Sequence, residues 1–265
     1  MNGRIGISLL GVLLLTILLG LLWMPYDPNA IDLTHSLAVP DWHHWFGTDE
    51  FGRDVMSRSM LGARISVLIS LGAVALAICV GTTLGILAGY VRGWTDRLLM
   101  MVTDAVLAFP GILLALALMA VLGSSGSSII LALAVAYTPS VVRVVRGTVL
   151  SIREREFIEA SYAAGDNALQ TMMRHVLPNI VPPIVVLATS LFGWALLSES
   201  ALSFLGVGVP PPAPTWGNML SASRPYMDVA SWLSIVPGLC IAGTLLGVNL
   251  LGDALRDWLD PRRRS

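Results

Sequence analysis

Residues 65–88 read ISVLISLGAVALAICVGTTLGILA and contain no charged side chain. At a rise of 1.5 Å per residue, a helix of this length reaches about 36 Å, enough to cross the ~30 Å hydrocarbon core of a bilayer. The whole chain agrees with this, since 55% of its 265 residues are hydrophobic and only 12% are charged. A soluble domain carries about twice that charged fraction. The sequence therefore predicts a polytopic helical membrane protein.

Five more apolar blocks have a similar length. Together they give six predicted spans, at about residues 5–24, 65–88, 98–122, 129–145, 180–205 and 232–251. The first block follows a single arginine and is longer than the apolar part of a cleavable signal peptide, so we expect it to be retained. The predicted fold class is all-α, with one transmembrane domain over residues 1–265. An even number of spans places both termini on the same side of the membrane.

The arginines orient these spans. With both termini in the cytoplasm, the cytoplasmic segments hold twelve arginines: Arg4, Arg92, Arg97, Arg143, Arg146, Arg153, Arg155, Arg174, Arg256, Arg262, Arg263 and Arg264. The external segments hold four: Arg53, Arg58, Arg64 and Arg224. The positive-inside rule favours this orientation. Residues 25–64 and 206–231 are then external, and Glu50–Leu61 is expected to form a short amphipathic helix on the membrane surface.

The residue types exclude several kinds of chemistry. All 16 basic residues are arginine, so the chain has no lysine for a phosphate-binding P-loop or for nucleophilic catalysis. Cys79 and Cys240 lie in apolar runs, where a thiol behaves as a small hydrophobe. The net charge of -1 gives no field that attracts nucleic acid. We therefore predict no catalytic residue, no metal site, no cofactor and no nucleic-acid partner for this chain.

The segment between the fourth and fifth predicted spans, residues 146–179, carries charges of both signs. It contains EASYAAG at 159–165, nine further residues, and HVLP at 175–178. The pattern predicts a helix-turn-helix elbow that breaks at Gly165. This segment resembles the EAA loop of the membrane subunits of binding-protein-dependent ABC importers. Histidine at 175, where the general pattern has isoleucine, is similar to the dipeptide, oligopeptide and nickel branch of that family.

Three further stretches resemble the same branch, and in particular its C-type subunit. They are FGTDEFGRD at 46–54, LSFLGVG at 202–208 with Pro212 and Trp216-Gly217-Asn218 after it, and NLLGDALRD at 249–257 with Asp260-Pro261 after it. Four such segments in the expected order, on the expected sides of the membrane, are a specific signal. The resemblance covers residues 25–263.

The resemblance implies a permease subunit of an ATP-driven importer in the bacterial inner membrane. Such a subunit forms half of a pathway for di- or oligopeptides, or alternatively for nickel or another small solute. The implied partners are a second homologous permease, two ATP-binding cassette subunits that bind ATP and magnesium, and an external solute-binding protein. The residues implied in coupling to the ATPases are Glu159, Ala160, Ser161, Gly165, Leu177 and Pro178.

Two carboxylates fall inside predicted spans, where an ionised group is costly unless it is paired or hydrated. Asp104 is about two helical turns from the cytoplasmic end of its span, so we expect a gate-side salt bridge or an interfacial position. Glu199 is near the outer end of the fifth span. We expect it to line the pathway and to face water or a partner subunit.

Membrane enzymes and secondary carriers are the alternatives from other classes. Gly123-Ser124-Ser125-Gly126 matches an intramembrane serine protease motif, but that chemistry needs a histidine within a span, and all four histidines lie outside the predicted spans. An external turn is therefore favoured. A secondary carrier would place paired broken helices and charges at the midplane. This chain concentrates its charge in one elbow instead.

Three histidines of the first external segment, His35, His43 and His44, lie near Asp41 and suggest a transition-metal site. Adjacent side chains such as His43 and His44 rarely bind one ion together. The flanking tryptophans, Trp42 and Trp45, favour an aromatic anchor at the membrane interface.

Overall fold

The computed structural model describes residues 2–259 as helices joined by turns. The α-helices are α1 (Asn2–Leu22), α2 (Val55–Val91), α3 (Gly93–Leu107), α4 (Gly111–Leu122), α5 (Gly126–Arg153), α6 (Glu156–Ala163), α7 (Ala168–Thr171), α8 (Leu177–Phe204), α9 (Trp216–Ser223) and α10 (Trp232–Leu259). A π-helical turn, Met172–Val176, joins α7 to α8 without a break. The predicted ending Asp260-Pro261 and the arginines at 262–264 lie outside the described residues.

Five of these helices are long and apolar enough to cross a membrane, and the α3–α4 pair raises the number to six. The all-α fold with about six spans is therefore confirmed. The third span differs from the prediction, however, because α3 and α4 meet at an angle of 91° instead of forming one helix over 98–122. Pro110 explains the break, since proline supplies no N–H and disfavours helical backbone at the residue before it.

The second span also begins earlier than predicted. Asp54 caps α2 by accepting a hydrogen bond from the backbone N–H of Ser57, and the helix then runs for 37 residues. The prediction of a separate surface helix at Glu50–Leu61 is wrong, because residues 50–54 form a turn and the remaining residues are the first part of α2. The polar start of α2 is tolerated because Arg58 is held by Asp49 and by the carbonyl of Pro28.

The elbow is shorter than residues 146–179. Residues up to Arg153 belong to α5, and from Ala168 onward the chain is continuous with α8. Only the short α6 and the turns on either side of it interrupt these two long helices. The spans therefore extend as helix beyond the apolar blocks, since the flanking polar residues are compatible with helix.

The tightest helix packing joins α2 to α5. Three glycines one turn apart on α2, Gly81, Gly85 and Gly89, face three valines one turn apart on α5, Val141, Val145 and Val149. A Cβ atom on these glycines would lie 2.5, 2.7 and 2.9 Å from the Cβ atoms of the opposite valines. Helices in a membrane associate through such close approach at small residues, because lipid is as apolar as the side chains.

A polar cap covers one end of the bundle, opposite the elbow. It consists of residues 25–54 and 205–231, and it contains α9. Trp216 is buried in it and donates from its indole N–H to the carbonyl of Ser59. Trp232, the first residue of α10, donates to the carbonyl of Thr48 in the first part of the cap. The cap therefore holds the first turns of α2 and α10 together.

We predict that Gly85→Ala destabilises the subunit, because its methyl group overpacks against Val145, a change that costs about 1–3 kcal/mol in a tight interior. Gly147→Ala on α5 is the matched control, since a Cβ there meets nothing within 4 Å. Thermal unfolding of the purified subunit in detergent measures the difference. Equal midpoints for the two variants would contradict the prediction.

Candidate functional site

The elbow presents one side of α6 to solvent. Glu159 and Ala160 are exposed, whereas Ile158 is buried in the core at the end of the bundle. Ser161 is also buried, and its hydroxyl donates to the carboxylate of Asp166 at 2.8 Å. Two predicted coupling residues are therefore available to a partner, while Ser161 acts within the elbow.

Gly165 forms the turn after α6. Its φ of +94° lies in the region that favours glycine, and a Cβ there would meet nothing within 4 Å. The positive φ that a break at this position requires is confirmed. The next residue, Asp166, donates its N–H to the carbonyl of Ser161 and pairs with Arg174 at 3.3 Å. These bonds fix the turn against the following helix.

Leu177 and Pro178 are not part of the α6 surface. They lie in the first turn of α8, directly after the π-helical turn. Leu177 packs against the same core that buries Ile158 and Val176. The predicted coupling set is thus divided into an exposed pair on α6 and two residues of α8, of which Leu177 packs against the core and Pro178 is exposed.

Contacts tie the elbow to the end of α2. The hydroxyls of Tyr90 and Tyr162 are hydrogen-bonded, and Tyr90 also donates to the carbonyl of Ala168 at 3.1 Å. Arg153 donates to the carbonyl of Tyr90 at 2.7 Å. These bonds join α6 and α7 to α2, and α2 to α5.

Sequence reasoning missed the apolar part of the elbow surface. Phe157, Tyr162, Leu169 and Met173 are exposed beside Glu159 and Ala160. Large apolar side chains exposed together on a soluble surface mark an interaction site. They are distributed over α6, α7 and the π-helical turn, and hydropathy alone did not show that they are exposed. We call these four residues, together with the exposed Glu159, Ala160, Ala163 and Ala164, the elbow surface.

Glu199 does not line an open pathway in this chain, contrary to our expectation. Its side chain is completely buried, and Ser203 donates to it at 2.8 Å. The hydroxyls of Ser66 and Thr215 also hydrogen-bond this carboxylate. Glu199 on α8 therefore holds α2 and the start of α9, because a buried carboxylate needs such donors. The nearby Gly217 allows this, since a Cβ there would lie 2.3 Å from the carbonyl of Ser200.

Asp104 forms the salt bridge that was one of its two expected roles. Its carboxylate lies 2.8 Å from Arg143 of α5, and both side chains are about half exposed. A second pair, missed by the sequence reasoning, joins Asp96 to Arg146 through two bonds of 2.6 and 2.7 Å. The two pairs attach α3 to α5 near the elbow end of the bundle.

The FGTDEFGRD segment is structural. Asp49 accepts from Arg53, and Asp54 accepts from His44 at 2.9 Å. Gly52 has a φ of +72°, and a Cβ there would lie 1.7 Å from the carbonyl oxygen of Asp32. Only glycine fits at that contact. The segment therefore folds the first part of the cap onto the start of α2.

The three histidines of the cap pair with three different aspartates. His35 contacts Asp32, His43 contacts Asp41 and His44 contacts Asp54. Hydrogen bonds from Thr34 and His35 lower the pKa of Asp32 to about 2, so it is ionised at physiological pH. Backbone N–H groups of His44 and His43 likewise lower the pKa of Asp41. Within residues 2–259, no three His, Cys, Asp or Glu side chains form a cluster that fits a metal ion.

The protease-like Gly123–Gly126 stretch is a turn. Gly123 ends α4, and Ser125 caps α5 by accepting from the N–H of Ser128. The hydroxyl of Ser125 contacts those of Ser127 and Ser128. It therefore serves as a helix cap with serine neighbours, as the interpretation of an external turn expected.

We predict that Glu199→Ala lowers the yield of folded subunit, because several buried hydroxyls lose their acceptor at a cost of about 1–3 kcal/mol. Glu199→Gln keeps one acceptor oxygen and should lower the yield less. Size-exclusion chromatography measures yield, and uptake per assembled complex is measured beside it. Normal yield of Glu199→Ala with a selective loss of uptake would make Glu199 a pathway residue.

Comparison with known proteins finds membrane components of transport systems. The family described as binding-protein-dependent transport system inner membrane component matches residues 81–265. The dipeptide transport system permease protein DppC of Alkalihalophilus pseudofirmus is 46% identical over 232 residues, which are 88% of this chain and 76% of that protein. The glutathione transport system permease protein GsiD of Escherichia coli is 43% identical over 96% of this chain and 85% of its own length.

A solved structure of the MetNI methionine ABC transporter, in inward-facing conformations, has the same fold. It aligns with a TM-score of 0.63 over 75% of this chain and 94% of its own, at 19% identity. That likeness shows the architecture alone. The family match and the high identity over most of the chain show the family: this chain belongs to the inner-membrane permease components of binding-protein-dependent ABC importers.

Proposed function

We propose that this permease forms half of the pathway of a peptide importer. The observation that carries the proposal is the set of relatives: proteins named as dipeptide, glutathione and peptide transport permeases are 42–46% identical over 88–98% of the chain. Nickel or another small solute remains the alternative within the family. A second permease completes the pathway, and a solute-binding protein delivers the substrate from outside.

The elbow surface is the docking site for an ATP-binding subunit in this proposal. Its exposed small residues, Ala160, Ala163 and Ala164, let α6 lie closely in a groove, and its apolar side chains supply contact area. Glu159 adds a charge that suits an arginine on the partner. ATP and magnesium are bound by the ATPase subunits, and this chain performs no chemistry of its own.

Coupling follows from the rigid attachment of the elbow. ATP-driven closure of the ATPases draws the elbows together, and the bonds of Tyr90 and Arg153 pass this movement to α2 and α5. The pathway then opens outward, and hydrolysis resets it. The tight α2–α5 contact makes these two helices move as one unit, because packed glycine and valine ridges do not slide gradually.

The orientation proposed from the arginines places the elbow and both termini in the bacterial cytoplasm and the cap outside. Two introduced cysteines test this orientation in cells that produce a variant of the protein without Cys79 and Cys240. We predict that a membrane-impermeant thiol reagent labels Val229→Cys, a cap position that is 69% exposed, in intact cells. Asn167→Cys in the elbow should be labelled only after lysis. The reverse pattern would overturn the orientation and the docking site with it.

We predict that Gly165→Val uncouples ATP hydrolysis from transport, since a side chain at this φ costs about 1–2 kcal/mol and shifts the turn. Gly165→Asn is the matched control, because asparagine tolerates positive φ better. Uptake and ATPase rates of the assembled complex in proteoliposomes are the measurements. Normal coupling in Gly165→Val would mean that the turn does not position the docking site.

The substrate class is tested with the complete transporter and its binding protein in proteoliposomes. We expect ATP-dependent uptake of labelled di- or tripeptides. Unlabelled peptides should inhibit this uptake, and omission of the ATPase should abolish it. Nickel uptake that peptides do not affect would reject the peptide assignment in favour of the alternative. Uptake without any ATPase would reject the importer mechanism itself.

A further inference from the structure

A polar cleft lies at the elbow end of the bundle, between α5 and the start of α8. Its volume is about 450 Å³, within the ~300–1,000 Å³ range of ligand sites. One side of α5 forms most of the lining. The polar lining residues, which define what we call the α5 cleft, are Arg143, Thr148, Ser151, Arg155 and Asn179. Apart from the pair between Arg143 and Asp104, no role described above uses them.

Four exposed positions of α5 form a row along this cleft. Arg143, Gly147, Ser151 and Arg155 are four residues apart, so their side chains follow one ridge of the helix. A Cβ at Gly147 would meet nothing within 4 Å, so the middle of the row is open. At 1.5 Å per residue the row is about 18 Å long, whereas an extended tripeptide spans about 10 Å. The α5 cleft is therefore long enough for a small peptide.

The charge of the α5 cleft is positive. Among the described residues that line it, only Arg143 and Arg155 are charged. Asp104 offsets part of the charge of Arg143, whereas Arg155 forms no ion pair within residues 2–259. Glu154 and Glu156 flank Arg155 in the sequence but do not line the cleft. A guanidinium group without a fixed partner attracts a carboxylate, which it can hold through two parallel hydrogen bonds.

The depth of the pair between Asp104 and Arg143 indicates what this side of α5 faces. At 1.5 Å per residue, Arg143 is about 26 Å along α5 from Gly126, its first residue. The hydrocarbon core is ~30 Å thick, so the pair lies at its inner edge, and both side chains are about half exposed. Exposed ionised groups at that depth need water, because lipid does not solvate them. This side of α5 therefore faces an aqueous space.

One face of α8 continues the polar surface into the membrane. Ser190 follows Asn179 by three helical turns, so the two residues share a face, and Trp194 is one turn further. All three residues are exposed. Tyr137 of α5 donates to the carbonyl of Trp194 at 3.1 Å and contacts the hydroxyl of Ser198 at 2.8 Å. Polar groups thus follow the contact between α5 and α8 from the middle of the span to the α5 cleft.

We propose that the α5 cleft is the cytoplasmic mouth of the translocation pathway, where Arg143 and Arg155 attract the C-terminal carboxylate of a peptide as it leaves. This inference rests on the proposed peptide importer. Every unmodified peptide carries that carboxylate, and the hydroxyl of Ser151, between the two arginines, suits its polar backbone. Two guanidinium groups repel a nickel ion, so the charge of the cleft favours the peptide over the metal.

The test uses the assembled transporter in nanodiscs, with Ser151→Cys in a variant of this chain without Cys79 and Cys240. Mass spectrometry follows the reaction of the introduced thiol with an anionic and with a cationic methanethiosulfonate reagent. We expect the ratio of the anionic to the cationic rate to be about fivefold higher than at Thr95→Cys. Thr95 is exposed at the same end of the bundle but does not line the cleft.

Arginine variants show where this preference comes from. Arg155→Gln should remove most of it, whereas Arg155→Lys should keep it. Arg97→Gln is the matched control, because Arg97 is exposed at the same end and lies outside the lining. Equal rates of the two reagents at Ser151→Cys would overturn the proposal, and so would a preference that Arg155→Gln leaves unchanged.

Protection by peptides tests the carboxylate. A dipeptide at millimolar concentration should slow the reaction of Ser151→Cys, and the same dipeptide with a C-terminal amide should not. Equal protection by both would show that the carboxylate is not recognised. That result, or protection by neither, would overturn the proposal.

Two further conditions separate a pathway mouth from a surface that faces lipid headgroups. ATP with vanadate, which holds the ATPases closed, should slow the reaction at Ser151→Cys, since the pathway then opens outward. Equal rates in both states would overturn the proposal. Protection by anionic phospholipid without peptide would assign the cleft to headgroups and equally overturn it. Failure to import any peptide rejects the proposed function instead, and the charge preference at Ser151→Cys is measured without substrate.

Discussion

The rest of the structure depends on the contact between α2 and α5. Glycines on one helix and valines on the other bring the two backbones so close that a single methyl group would collide with the opposite side chain. In lipid, no hydrophobic force drives helices together, so this dispersion contact is the main source of their association. Both helices end at the elbow, which is consequently supported by a rigid pair.

The cap and the elbow, at the two ends of the α2–α5 pair, differ in their polar contacts. At the cap, Glu199 and the aspartates of residues 49–54 satisfy buried or partly buried donors, so polar side chains fix the entry of α2 and the position of α9. At the elbow, the hydroxyl of Ser161 contacts Asp166 and Thr171. The exposed side of α6 carries Glu159 beside small and apolar side chains, which suits the docking proposed for it.

Two other parts of the chain pack around this centre: α1, which lies against α10 and α2, and the bent α3–α4 pair. On another side, α3 is held to α5 by two ion pairs and bends by 91° into α4. Exposed ion pairs contribute little stability on their own, so the position of α3 depends on geometry as much as on charge.

Hydropathy, arginine placement and the elbow motif by themselves determined the fold class, the number of spans and the family. These features are local in sequence, because the thickness of a bilayer sets the length of each apolar run. The positive φ of Gly165 was equally predictable, since a turn between two short helices favours glycine.

Only the tertiary structure decided the environment of each carboxylate. Glu199 looked like a pathway residue because its own span is apolar, but its hydrogen-bond donors include Ser66 and Thr215, which are distant in sequence. The elbow surface and the α2–α5 contact likewise combine residues from separate helices. Hydropathy describes the solvent around a segment, whereas the partners of a buried side chain depend on which helices pack together.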